Sequence, residues 1–387
     1  MMGNNELTDT EIALFGLIKK ALFGIPFIQP DHVNWDDVYQ EAQKQAVSGV
    51  VEKYVPESAG FQWRQVDAIC IGNNIRYLHA QSELIELFKA HNIPLSILKG
   101  TAAAVYYPDP ILRMMGDIDF IVPQDCFDKA CSLMVENGYA LHMGNPMYTR
   151  HKGFFKDKIS FELHHHFSYD DLDIEHYIID GLKKPDVGNI NGILFPMLPK
   201  LANGLVLLAH MRNHLQSGLG LRQMIDWMMY VDKVLDDDFW KSEFRESAAS
   251  VGMDKLAIIS TRMCQKYLGL RDNICWCKEA DEKLCDLLIR NLMSYGNFGI
   301  KHGEGNKIEK VITRVKKNGA FRYLQKSGEG TWKLYHQHKC LKPFCWLYQI
   351  CRLIKKGFQS KRGNKVFQDM EMSRDRYDLL KKLNVIH

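Results

Sequence analysis

Apolar residues recur every three and four positions over Ile12, Leu14, Leu17, Ile18 and Leu22, and again over Val38, Ala42, Ala46, Val50 and Val51. That period predicts helices through residues 1–90. Thr8-Asp9-Thr10-Glu11 offers a capping box to the first of them. A longer amphipathic pattern runs without proline from Gln65 to Ala90 and is stopped by Asn92-Ile93-Pro94.

The pattern then changes. Pro94 to Leu98 is a short apolar run suited to a buried strand, Lys99-Gly100-Thr101 reads as a glycine turn, and Ala102 to Tyr106 suits a helix. Gly116 to Pro123 alternates acid and apolar before turning wholly apolar, which predicts a half-buried strand. A helix follows over about 125–137. Lys158 to His166 places Ile159, Phe161 and Leu163 on one strand face and Ser160, Glu162 and His164 on the other. From Leu198 to about Gly269 the spacing is helical again, and no internal repeat interrupts it.

These periods predict an α+β protein with a small mixed β-sheet. Its regions are N-terminal helices over 1–90, a core over 91–180, a helical domain over 181–300, and a basic, mainly helical C-terminal region over 301–387. Gly181 to Gly192 is the best place for a boundary. With 46% hydrophobic and 25% charged residues, the chain is neither disordered nor fibrous.

Net charge is only +4, but it is unevenly spread: residues 301–365 carry 17 Lys or Arg against 3 Asp or Glu. Basic residues interleave there with Phe321, Tyr323, Trp332, Tyr335 and Trp346, and the whole stretch 307–365 suits an anionic partner. Nucleic acid, anionic lipid and plain solvent all remain open as what it faces, with Phe344 to Phe358 the amphipathic part. Ten cysteines without regular spacing, and a start without a signal peptide, lead us to expect a reduced, cytoplasmic protein, peripheral to a membrane at most.

Asp117 and Asp119 stand at i and i+2, so on a strand both carboxylates face one way, about 6–7 Å apart along the chain. Glu162 on the later strand is the natural third acid. Such oxygen ligands suit two Mg²⁺ ions, which keep open positions for phosphate. Upstream, Gly100 lets backbone N–H groups approach a ligand, and Thr101 adds a hydroxyl. A phosphate site beside a two-metal site suggests phosphoryl or nucleotidyl transfer.

These residues resemble the DNA polymerase beta-like nucleotidyltransferase superfamily. Within it they resemble the bacterial family known only as uncharacterised nucleotidyltransferases. The resemblance rests on Leu98-Lys99-Gly100, Tyr107-Pro108, Arg113, Asp117-Ile118-Asp119 and Glu162-Leu163-His164, and on His210, Arg222 and Asp226 downstream. It covers about 94–232 well and the N-terminal helices loosely. Thr101 stands where many members have Ser, and Glu162 where Asp is commoner; neither change removes a ligand type.

The resemblance implies a nucleotidyltransferase core and a Mg²⁺-dependent reaction, with Mn²⁺ as a substitute, in which a nucleoside monophosphate passes from an NTP such as ATP to an acceptor. Asp117, Asp119 and Glu162 would hold the metals, and Glu162 would also serve as base. Lys99, Gly100 and Thr101 would cradle the triphosphate. Arg113 would face the α-phosphate, His164 phosphate or acceptor, and Arg222 and Asp226 the nucleotide side. The acceptor is left open among a sugar phosphate, a small molecule, RNA and a protein hydroxyl.

Two rival readings remain at this stage. One is a noncatalytic nucleic-acid- or membrane-associated protein on the same fold. The other is a metal hydrolase on His210 and His214, at i and i+4 of a helix, which Asp226 could in principle join. Arg222 and Asp226 are also four apart and read equally as an ordinary helical ion pair. Adjacent His164, His165 and His166 cannot all chelate one ion from a strand.

Overall fold

The computed structural model describes residues 7–142, 151–167, 173–215, 218–302, 319–358 and 376–385. The first helix, Asp9–Phe23, is closed by the expected capping box, in which the Glu11 backbone N–H donates to Thr8 and the Glu11 carboxylate accepts from the Thr8 backbone. Gly24 ends it in the left-handed region at φ 69°, which glycine adopts without steric cost. Trp35–Lys44, the short Ser48–Val51 helix and the long Val66–Ala90 helix follow it.

Seven strands form one sheet: β1 (Ser96–Leu98), β2 (Ile118–Ile121), β3 (Ala140–Leu141), β4 (His151–Lys156), β5 (Ile159–His164), β6 (Asp186–Ile190) and β7 (Ile193–Met197). Their spatial order is β3-β4-β5-β2-β1-β7-β6. β2 runs parallel to β5 and antiparallel to β1, while β7 runs parallel to β1, so the sheet is mixed. The β6–β7 hairpin lies beyond residue 180 and extends the sheet past the expected core boundary.

Alternation in β2 and β5 sorts side chains between two cores. Ile118, Phe120, Phe161 and Leu163 point into one, shared with Leu78, Leu84 and Phe88 of the long helix and with the Phe127–Glu136 helix. Ile121 and Leu98 face the other core, built from the N-terminal helices and from Lys200–Leu215, Leu221–Lys233, Asp254–Leu268 and Glu282–Tyr295. Asp119, Glu162 and His164 sit on this second face, between the sheet and the helices.

The two longest helices among the described residues of the basic region are Ala320–Thr331 and Cys345–Phe358. They touch so closely at Gly328 that a Cβ there would lie 2.0 Å from the Cys345 carbonyl oxygen. Trp332 stacks on Tyr348 with ring centroids 5.0 Å apart. Phe344 and Leu347 stay exposed. Lys307, Arg314, Lys316, Lys317 and Lys365 lie outside the described residues. Leu379, Leu380, Leu383 and Val385 return to the helical core, where the Arg376 guanidinium donates to the Leu215 carbonyl at 2.6 Å. None of the ten cysteines is in a disulfide. Among the described residues no helix is long and apolar enough to cross a membrane.

Candidate active site

Strand register brings the acids together. β2 pairs with β5 so that Asp119 lies beside Glu162 and Ile121 beside His164. Asp117 immediately precedes β2 and shares the face of Asp119. Asp117, Asp119 and Glu162 each present an oxygen within 4.8 Å of the others, the convergence that the two-residue spacing and the third strand led us to expect. Asp119 is 2% exposed, whereas Asp117 and Glu162 are half-buried at the rim.

β1 lies antiparallel to β2, with Leu98 opposite Asp119. Lys99 is the next residue and sets its ammonium 2.6 Å from Asp119 Oδ1. Its backbone holds φ 49° and ψ −133°, a sparsely populated combination that costs a non-glycine residue about 1–3 kcal/mol. Gly100 follows at φ 27°, and its Cα faces the Asp117 carbonyl with open space around it. One strained residue, Lys99, therefore sits in the turn between the first strand and the acid pair.

Charge crowding sets the protonation states. The neighbouring Asp119 carboxylate, and then burial, push the Asp117 pKa up, against the lowering pull of Lys99, Arg222 and Arg113. Burial would raise Glu162, but the hydrogen bond to His164 and the charge of Lys99 outweigh it and hold Glu162 at about 2. Burial would lower His164, yet its contacts with Asp119 at 3.1 Å and Glu162 at 3.5 Å raise it instead. One lysine thus sits among three acids. The donor set is all oxygen, which fits a divalent cation such as Mg²⁺.

Four other expected residues have partners inside the protein. Arg113 donates from Nε and Nη2 to the two oxygens of Asp226, at 2.7 and 2.5 Å, and Tyr107 Oη donates to the same carboxylate at 2.7 Å. Arg113 is accordingly committed to Asp226, not placed at an α-phosphate, and Asp226 is not the partner of Arg222. The Arg222 guanidinium donates instead to the Met114 carbonyl at 3.1 Å, and its charge acts on Asp117. The Thr101 hydroxyl, expected at a phosphate, is buried and donates to Gln81 Oε1 at 2.6 Å. The helix it opens, Gly100–Ala104, is only five residues long, so little of its dipole is available to an anion.

Residues 31–269, more than half of the chain, match the sequence profile of the uncharacterised nucleotidyltransferases. The chain belongs to that family. Among solved structures, the antibiotic-resistance factor ANT(2″)-Ia overlaps 46% of this chain and 95% of its own at 11% identity and a TM-score of 0.33. An antigenic nucleotidyltransferase-like protein from Paracoccidioides brasiliensis overlaps 50% of this chain and 92% of its own at 13% identity and the same TM-score, 0.33. No curated protein matches.

His210 and His214 pack edge to face, 4.4 Å between centroids, with no third ligand among the described residues. Asp226, which the hydrolase reading offered as a residue that could join them, is held by Arg113 and Tyr107. Burial, then nearby cationic charge, lowers both histidines, His214 to about 3. Sequence reasoning missed His151, which β4 places opposite His164 with ring centroids 5.0 Å apart. The run His151-Lys-Gly-Phe-Phe-Lys carries no alternation to mark it as a strand, since its two apolar residues are adjacent.

Proposed function

We propose that the protein is a Mg²⁺-dependent nucleotidyltransferase whose metal ligands are Asp117, Asp119 and Glu162. The observation that carries this reading is the convergence of three carboxylates from two strands on one half-buried face, with a single lysine among them. So much negative charge in a low-dielectric cleft is costly without a cation. When bound, Mg²⁺ supplies neutralisation of the phosphate oxygens and lowers the pKa of a coordinated hydroxyl.

The protein's own groups have separate tasks in this reading. Asp119, fixed by Lys99 and His164, holds the ligand geometry rigid. Glu162, kept ionised by His164 and Lys99, acts as a ligand in preference to a base. The turn at Gly100 brings backbone beside the acids, and Lys99, on Asp119, stands within reach of a phosphate's charge. Arg222, on the Asp117 side, takes the phosphate-facing role expected of Arg113. In the reaction an acceptor oxygen bonds to the α-phosphorus, the Pα–O bond to the β-phosphate breaks, and pyrophosphate departs with that electron pair. The acceptor's proton goes to solvent.

The test is a thermal-shift screen of the purified protein against four NTPs, with and without Mg²⁺ or Mn²⁺, beside an Asp117→Asn/Asp119→Asn double variant. A ligand that binds only the folded state raises its melting temperature. A metal-dependent rise with one NTP, absent in the variant, is the expected result and names the donor for an acceptor search. No rise with any NTP would shift the reading to a noncatalytic member of the family, with the basic C-terminal helices as its working surface.

A further inference from the structure

The oxygen-only triad is not the sole ligand set on this face. β4 and β5 are antiparallel with His151 directly opposite His164, so both imidazoles project from the same side of the sheet. Glu162 lies two residues from His164 on β5 and shares that side, with its Oε2 3.5 Å from His164 Nε2. One donor atom from each of His151, Glu162 and His164 falls within 4.8 Å of the others. Ligands of one tetrahedral zinc ion lie about 3–4 Å apart, a separation that small side-chain rotations reach from here.

We infer that His151, Glu162 and His164 form a binding site for a divalent first-row transition ion, with Zn²⁺ the expected occupant. The donors decide the class of ion. Two imidazole nitrogens and one carboxylate suit Zn²⁺ and its borderline neighbours, whereas Mg²⁺ prefers oxygen and gains little from imidazole. Three protein ligands leave a fourth position for water or a phosphate oxygen, as in catalytic rather than structural zinc sites.

Position supports the assignment independently of ligand type. All three residues stand on paired strands, not on loops, so the sheet holds their Cα positions fixed. Asp119 Oδ1 and Glu162 Oε2 both face His164 Nε2, at 3.1 and 3.5 Å, so the ring is held between two carboxylates and an ion bound at that nitrogen takes the place of its proton. Glu162 belongs to both sets. The face therefore offers an oxygen end, at Asp117 and Asp119, and a nitrogen end, at His151 and His164, bridged by one carboxylate. Two ions sharing such a bridge stand about 3.5–4 Å apart in known two-metal sites. The site shares Glu162 with the proposed transferase centre but does not depend on nucleotidyl transfer.

The experiment uses metal-stripped full-length protein and Co²⁺ as a visible-spectrum probe for a zinc-type site, followed by displacement with Zn²⁺. The expected result is about one equivalent of Co²⁺ giving d–d bands, bleached by Zn²⁺ and unaffected by excess Mg²⁺. His151→Ala weakens Co²⁺ binding by roughly 100-fold, and His151→Asn, which keeps a polar side chain, does the same. Asp117→Asn retains the bands. Circular dichroism and melting show whether each variant is folded, and the Mg²⁺-NTP thermal shift of His151→Ala reads the transferase centre separately. Absence of the bands, their survival in folded His151→Ala, or their equal loss in Asp117→Asn would overturn the assignment.

Discussion

Two buried aspartates, Asp119 on β2 and Asp226 on the Leu221–Lys233 helix, show how similar residues come to do different work. Asp226 is saturated: Arg113 grips it through two hydrogen bonds and Tyr107 adds a third. It ties the segment after the glycine turn to the Leu221–Lys233 helix, and has little capacity left for a ligand. Asp119 has Lys99 and His164 as partners, but it shares them with Asp117 and Glu162, so negative charge stays in excess. A balanced ion pair fixes the fold, whereas an unbalanced cluster of ionisable groups is where a cation or substrate is called for.

The largest expected effect breaks the cluster. Asp119→Asn lowers NTP turnover about 10³-fold or more, since several kcal/mol of metal-borne transition-state stabilisation are lost, measurable as pyrophosphate release once a donor is known. Removing one side of the saturated pair acts on stability instead. Arg113→Ala leaves a carboxylate buried at 1% exposure without its counter-charge and costs about 3–5 kcal/mol in urea unfolding. An Arg113→Met/Asp226→Leu double variant recovers most of that loss, because neither charge then needs solvation. If Arg113→Ala folded normally and lost only activity, the contrast drawn between the two aspartates would be wrong.

Protonation of the half-buried histidines on the Lys200–Leu215 helix acts on stability as well. His210 and His214 are held neutral, with pKa values below the ordinary value of 6.5. As pH falls below about 6.5 the unfolded chain takes up protons that the folded chain refuses, so stability declines by up to about 1.4 kcal/mol per unit for each histidine. For His214 the decline continues down to its folded value of about 3. A His210→Gln/His214→Gln variant should show a flatter stability profile between neutral pH and pH 5 in equilibrium unfolding. An unchanged slope would count against burial of the pair.

Smaller effects sharpen the same contrast. Thr101→Val removes the hydroxyl donated to Gln81 and costs about 1 kcal/mol of stability with KM for NTP unchanged, because that hydroxyl is engaged inside the protein. A raised KM at normal stability would return Thr101 to the phosphate. In metal-free buffer Asp117→Asn raises the melting temperature slightly, by the equivalent of about 1 kcal/mol or less, since it relieves repulsion with Asp119. The added metal and NTP shift disappears in the same variant, so the two measurements move in opposite directions.

What was readable in the chain follows from period and spacing. The helices at 9–23 and 66–90, the strands at 96–98, 118–121 and 159–164, and the shared face of Asp119, Glu162 and His164 all rest on repeats of 3.6 or 2 that packing enforces. His151 was hidden because the β4–β5 hairpin turns at Asp157 and Lys158, both at positive φ, without the glycine that usually marks such a turn. The opposite error occurred at Asn191-Gly192, a strong hairpin signal that marked the end of a boundary instead of the turn between β6 and β7.

By itself, then, the sequence determined which residues could reach a common face, since alternation along a strand is a local property. Only the tertiary structure decided which of them meet. The distance from Arg113 to Asp226 along the chain carries no information about their pairing, and the i,i+4 spacing of Arg222 and Asp226 pointed to the wrong partner. The order of strands placed Lys99 on Asp119 and His151 opposite His164. Long-range pairing depends on how entire elements pack against one another, and that is set by the burial of the two cores together, not by any short stretch of residues.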